Sequence, residues 1–149
     1  MSINPELQGR SYPAIGPYQV SREKIREFAR AVQAAHPAHF DPAEAAKLGY
    51  ADVVAPPTFA VLIAQQADAE LVRDPEAGID FSRVVHADQR FTHHRPIVAG
   101  DDIFAELHVD GVRAMGASAL ITTRAELSDA AGQRVATTVS SILVRGEGQ

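Results

Sequence analysis

The hydrophobic pattern of this chain changes period partway along, and that change narrows the possible folds more than any other feature. Before Val84 the apolar residues follow helical spacing, and from Val84 onward they recur at every second position. Ile103, Ala105, Leu107 and Val109 alternate with Phe104, Glu106, His108 and Asp110. Ala119, Ile121, Thr123, Ala125 and Leu127 make a second such run, and Val135, Thr137, Val139, Ser141 and Leu143 a third. Gly116 and the turn Asp129-Ala130-Ala131-Gly132 separate the runs by hairpin-length gaps. Helices followed by a meander of antiparallel strands predict an α+β fold in which a sheet wraps one buried helix.

Three helices are expected in the first half. Ser21 is placed to cap one whose apolar positions are Ile25, Phe28, Ala29 and Val32, and Pro37 requires it to end near Ala35. Asp41, Pro42 and Glu44 combine an N-cap, a first-turn proline and a capping-box glutamate, and Gly49 stops that helix after about two turns. Thr58 is expected to cap a third, longer helix through Arg73, with Phe59, Leu62, Ile63, Gln66, Ala67 and Leu71 along one mainly apolar stripe. Tyr12 to Val20 reads as an irregular extended segment, and residues 1–10 as polar and loose.

Bulk properties remove several function classes. At 149 residues the chain has the size of one domain spanning 1–149. Its 14 basic and 19 acidic residues leave a net charge of -5, which argues against a nucleic-acid partner. There is no cysteine, so thiol nucleophiles and thiolate metal sites are excluded. No signal pattern opens the chain and no apolar run reaches the roughly 18 residues of a membrane span, so a cytoplasmic protein with no membrane association is expected. The six histidines include no helical pair at metal spacing. Neither a metal nor another cofactor is therefore expected. His93 and His94 are adjacent and would point to opposite faces of a strand, whereas His86, Asp88 and Arg90 would share one, as a solvated polar face.

Phe28, the turn from Ala34 through Pro37 to His39, the run Tyr50 to Phe59, Ala87-Asp88-Gln89-Arg90-Phe91 and His94-Arg95-Pro96-Ile97-Val98-Ala99-Gly100-Asp101 form one constellation. Together they resemble the MaoC-like (R)-specific hydratases and dehydratases of acyl thioesters. More closely, the chain is similar to the accessory subunits of two-component (3R)-hydroxyacyl-ACP dehydratases of fatty-acid elongation. The resemblance covers nearly the whole chain and implies the hotdog fold, with Thr58 to Arg73 as the central helix. Active members of that family place an aspartate and a histidine five residues apart, with Asn-Pro between them. These activate the water that adds to the β-carbon and return a proton to the α-carbon. A glycine N–H at the head of the central helix polarises the thioester carbonyl.

By this resemblance His39 falls on the catalytic histidine, but Ala34 stands at the aspartate position and His36 at the asparagine position. The His-Gly pair at the helix head is matched by Pro56 and Pro57, and proline has no N–H to donate. Half of the acid–base pair and the carbonyl donor are thus both absent. The expectation is an accessory subunit that forms the acyl-chain tunnel, with Phe59, Leu62, Ile63 and Gln66 near the tail. A catalytic MaoC-like partner in a heterodimer would supply the Asp/His pair, and the carrier would be ACP or CoA. Two other readings remain open: a weak stand-alone hydratase or other acyl-thioester enzyme using His39, and a non-catalytic homodimeric binder of acyl thioesters. His39 is also compatible with a plain polar role in a proline-containing loop beside Asp41.

Overall fold

The computed structural model describes residues 3–148. Three α-helices, α1 (Arg22–Ala31), α2 (Pro42–Lys47) and α3 (Ala60–Arg73), precede most of the sheet. The strands are β1 (Ile15–Gln19), β2 (Val84–His93), β3 (Asp102–Met115), β4 (Ser118–Asp129) and β5 (Arg134–Val144). They form one antiparallel sheet in the order β1-β3-β4-β5-β2, leaving β1 and β2 at its two edges.

The sheet wraps α3. Phe59, Ala60, Ile63, Ala64, Ala67 and Leu71 of the helical segment are buried against Ile103, Leu107 and Val109 of β3 and Ile121 and Leu127 of β4. The three alanines let the helix axis approach the sheet closely, so the larger side chains between them fill the remaining space. On β5 the inward positions are the small residues Ala136, Thr138 and Ser140, while Val139 and Leu143 are only half-buried. These elements make up the expected hotdog architecture, a sheet around a long central helix.

Several local expectations hold, and for the expected reasons. Ser21 Oγ accepts from the Lys24 N–H at 3.1 Å, Asp41 Oδ1 from the Ala43 N–H at 2.8 Å, and Gly49 ends α2 with φ +89°. Others do not. Glu44 pairs with Lys47 at 2.7 Å and forms no capping box, because the Asp41 N–H is already held by the Pro37 carbonyl at 2.9 Å. Helix α1 stops earlier than Pro37 alone requires. Gln33 adopts φ +60°, so its N–H reaches Arg30 O and the Ala34 N–H reaches Ala29 O at 2.8 Å, the Schellman closure. Thr58 does not cap α3, since it lies within a 3-10 turn, Pro57–Phe59, through which the chain enters the helix.

The N-terminal segment also differs from expectation. Residues 3–10 are docked rather than loose: Leu7 is fully buried, Gly9 N–H donates to Val109 O, and Val109 N–H donates to Arg10 O. Met1 and Ser2 lie outside the described residues. Arg10 and Tyr12 fasten the segment to the end of α3, both bonding Asp74 Oδ2, at 2.9 and 2.6 Å. The Tyr12 phenol is pushed up to about 12 by burial and then by its bond to this carboxylate. Among the described residues no helix is long and apolar enough to cross a membrane.

Candidate functional site at the head of the central helix

Three short segments meet where α3 begins. Val53 to Ala55 runs extended, with Ala55 N–H donating to Ile97 O and Ala99 N–H to Val53 O. On its other side Val54 N–H donates to Ala38 O at 3.1 Å, which brings the turn Pro37–His39 against it. Backbone pairing therefore carries His39 to the helix head from a distant part of the sequence.

His39 is held in one tautomer. Its Nδ1 lies 2.6 Å from Val54 O, and a carbonyl only accepts, so Nδ1 carries the proton. In the neutral ring Nε2 is then the acceptor nitrogen, and it has no hydrogen-bond partner among the described residues. The ring is half-buried. His36 does something else: its Nδ1 accepts from the Ala38 N–H at 3.1 Å and caps the turn that presents His39. The two rings meet edge to face with centroids 6.3 Å apart.

The other parts of the site are as lean as the sequence suggests. Ala34 is committed to closing α1, and among the described residues no carboxylate bonds His39. Pro57 is exposed at the helix head and offers only its carbonyl, which receives His93 Nε2 at 2.7 Å. His93 thereby ties β2 to the start of α3. Phe28 packs edge-on against Phe59 with centroids 5.4 Å apart, and Tyr18 covers Phe59 from the other side at 6.3 Å. Phe59 and Ile63 thus face the core, Leu62 is half-buried and Gln66 is exposed. The arrangement retains a proton acceptor but no partner carboxylate and no N–H donor at Pro57.

Other polar motifs resolve differently. His94 Nε2 lies 3.2 Å from Thr137 Oγ1, so His93 and His94 take unrelated partners. Arg95 grips Asp101 through two bonds, at 2.8 and 3.2 Å, and Asp129 at 3.3 Å, fixing the crossing that ends in the Gly100 turn. His86, Asp88 and Arg90 do not share one face. The β2–β5 ladder shifts between His86 and Asp88, so His86 stands opposite Ile142 while Asp88 and Arg90 stand opposite Ser141 and Val139. The bulge turns the exposed His86 toward Ser140, with Nε2 and Oγ 3.2 Å apart and Nε2 also 3.1 Å from Asp88 O. Sequence reading also passed over Asp68, which α3 directs at Thr123 on β4, where Thr123 Oγ1 donates to Oδ1 at 3.1 Å. Burial pushes the Asp68 carboxyl up, against the opposing effects of Thr123 and His86. The only signal was a carboxylate midway along a largely apolar helix.

Comparison with known proteins gives a consistent frame. Residues 6–138 match the model of the family described as FAS1-like, dehydratase domain region. A UPF0336 protein of Clavibacter michiganensis is 51% identical over 99% of both chains, and one of Leifsonia xyli is 50% identical over 97% of both. Among solved structures, the C-terminally truncated HadBC (3R-hydroxyacyl-ACP dehydratase) complex of Mycobacterium tuberculosis matches with TM-score 0.81 and 34% identity. That match covers 92% of this chain and 96% of that one. A MaoC-like dehydratase matches with TM-score 0.85 and 38% identity, over 94% of this chain and 42% of that longer one. The chain therefore belongs to the FAS1-like dehydratase-region family.

Proposed function

We propose that this chain is the accessory half of a two-subunit (3R)-hydroxyacyl-thioester dehydratase acting in fatty-acid elongation in the cytoplasm. The observation that carries the reading is the state of its own site. His39 keeps a free Nε2, but Ala34 occupies the carboxylate position and Pro57 the position of the carbonyl-polarising N–H. The catalytic subunit would bring the Asp/His pair and the glycine N–H. This chain would supply a wall of the acyl tunnel through Leu62 and Gln66, with Phe59 and Ile63 setting the wall's position from behind. Support comes from β2, ten residues long, which stands at an edge of the sheet where a second sheet could pair with it. The HadBC relative is likewise a complex. Co-expression with a MaoC-like catalytic dehydratase is expected to yield a one-to-one complex on size exclusion. A catalytic partner that is stable and fully active without this chain would remove the basis of the reading.

The free Nε2 favours one second reading, a weak hydratase working alone through His39. It predicts that His39→Ala abolishes any activity of the isolated chain on trans-2-enoyl thioesters. If His39→Ala leaves that rate unchanged, the second reading is discarded.

A further inference from the structure

Farther along α3 a cavity of ≈ 810 Å³ opens between the helix and strands β2 and β5. Its walls are mainly aliphatic, with Leu71 and Val72 from the helix and Val84 and Ile142 from the strands. Two features mark its outer end. The ring of Phe81 lines the cavity yet is 72% exposed, a large apolar group left in water. Arg73, the last residue of α3, also lines it and is exposed, and its guanidinium has neither a hydrogen bond nor an ion pair among the described residues. By contrast Arg10, Arg22, Arg95 and Arg124 each hold a carboxylate.

An unpaired guanidinium at the mouth of an apolar cavity is complementary to an anion that carries a hydrocarbon chain. The interior fixes which end enters. Asp68 lines the cavity farther in, about 7.5 Å of helix rise from Arg73 at roughly 1.5 Å per residue, and burial pushes its carboxyl up. A second negative charge beside it would be repelled, so the head group belongs at Arg73 and the chain inside. From Gln65 to Arg73 the lining part of the helix rises roughly 12 Å, a wall along which the chain can lie. We infer that this cavity binds a single-chain anionic amphiphile, its carboxylate or phosphate held by Arg73 and its hydrocarbon chain packed against Phe81, Val72, Val84 and Ile142. From Ala60 to Arg73 the helix rises roughly 20 Å, so the anion would sit at the end of α3 opposite the His39 site. The inference does not depend on the acyl-thioester reading above.

The test titrates dodecanoate, dodecyl phosphate and dodecyltrimethylammonium, each below its micelle concentration, into the purified chain by calorimetry. The three share one chain and differ in the charge of the head. The better of the two anions is expected to bind at least about tenfold tighter than the cation, and which anion leads identifies the head group the site selects. Arg73→Gln should weaken that anion about fivefold and leave the cation unchanged or tighter. The residue is exposed and unpaired, so folding does not depend on it. Phe81→Ala should weaken all three alike, because it removes contact with the chain only. Equal or tighter binding of the cation would place charge recognition at Asp68 and overturn the inference. So would an anion affinity unchanged in Arg73→Gln, or no binding of either anion.

Discussion

Asp68 illustrates how one side chain can act against stability at neutral pH. Its carboxyl is held above the ordinary value of 3.8, chiefly by burial, so the native state keeps this proton at pH values where the unfolded chain has released it. Stability contributed by the protonated form is complete below pH 3.8 and is lost as pH rises through the higher native value. At neutral pH the ionised group is therefore a net cost. Asp68→Asn keeps an oxygen that can accept from Thr123 and removes the charge. It should melt at a higher temperature than wild type at pH 7, and the difference should vanish below about pH 3.8. Melting curves that run parallel at every pH would contradict this account of the environment of Asp68.

At the scale of elements, local chemistry explains most of what was legible in advance. Ser21, Asp41 and Gly49 act within a few residues of themselves, so their capping roles follow from spacing alone. Alternation marked β3 and β4 through their core faces, whereas on β5 it picked out Thr137, Val139, Ser141 and Leu143 although the core face carries the small residues Ala136, Thr138 and Ser140. What could not be read depends on partners distant in sequence. The bulge in β2 arises from its ladder with β5, and it put His86 on the Ser140 side of the strand while Asp88 and Arg90 took the other. Glu44 lost its capping role to a carbonyl from the preceding turn, and Leu7 found its burial against a sheet formed much later in the chain. Ala34 and Pro57 could be read from the sequence as residues without a carboxylate or an N–H, whereas the bond fixing the His39 tautomer could not. Close approach between elements has its own test at Gly16, where β1 meets β3. With φ +128°, an added Cβ would lie 2.8 Å from Ile103 O and 3.1 Å from Phe104 Cδ1. Gly16→Ala is expected to cost about 2–3 kcal/mol in chemical denaturation; an unchanged midpoint would show that β1 can move away from β3.

For the whole molecule, the distribution of chemistry matters more than any single contact. The fold presents His39 Nε2 without a hydrogen-bond partner at the head of α3, an open strand edge on β2, and a partly polar cavity farther along the helix. On the proposed reading, a second, catalytically complete subunit would complete the site at the helix head and pair with the strand edge. The most direct measurement is hydration of a trans-2-enoyl thioester, followed by loss of its conjugated absorbance. It should be run on this chain alone and on the complex with a MaoC-like catalytic dehydratase. The account predicts turnover by the complex and none above background by the chain alone. Efficient turnover by the isolated chain would contradict it, because Ala34 and Pro57 would then have been compensated within this subunit.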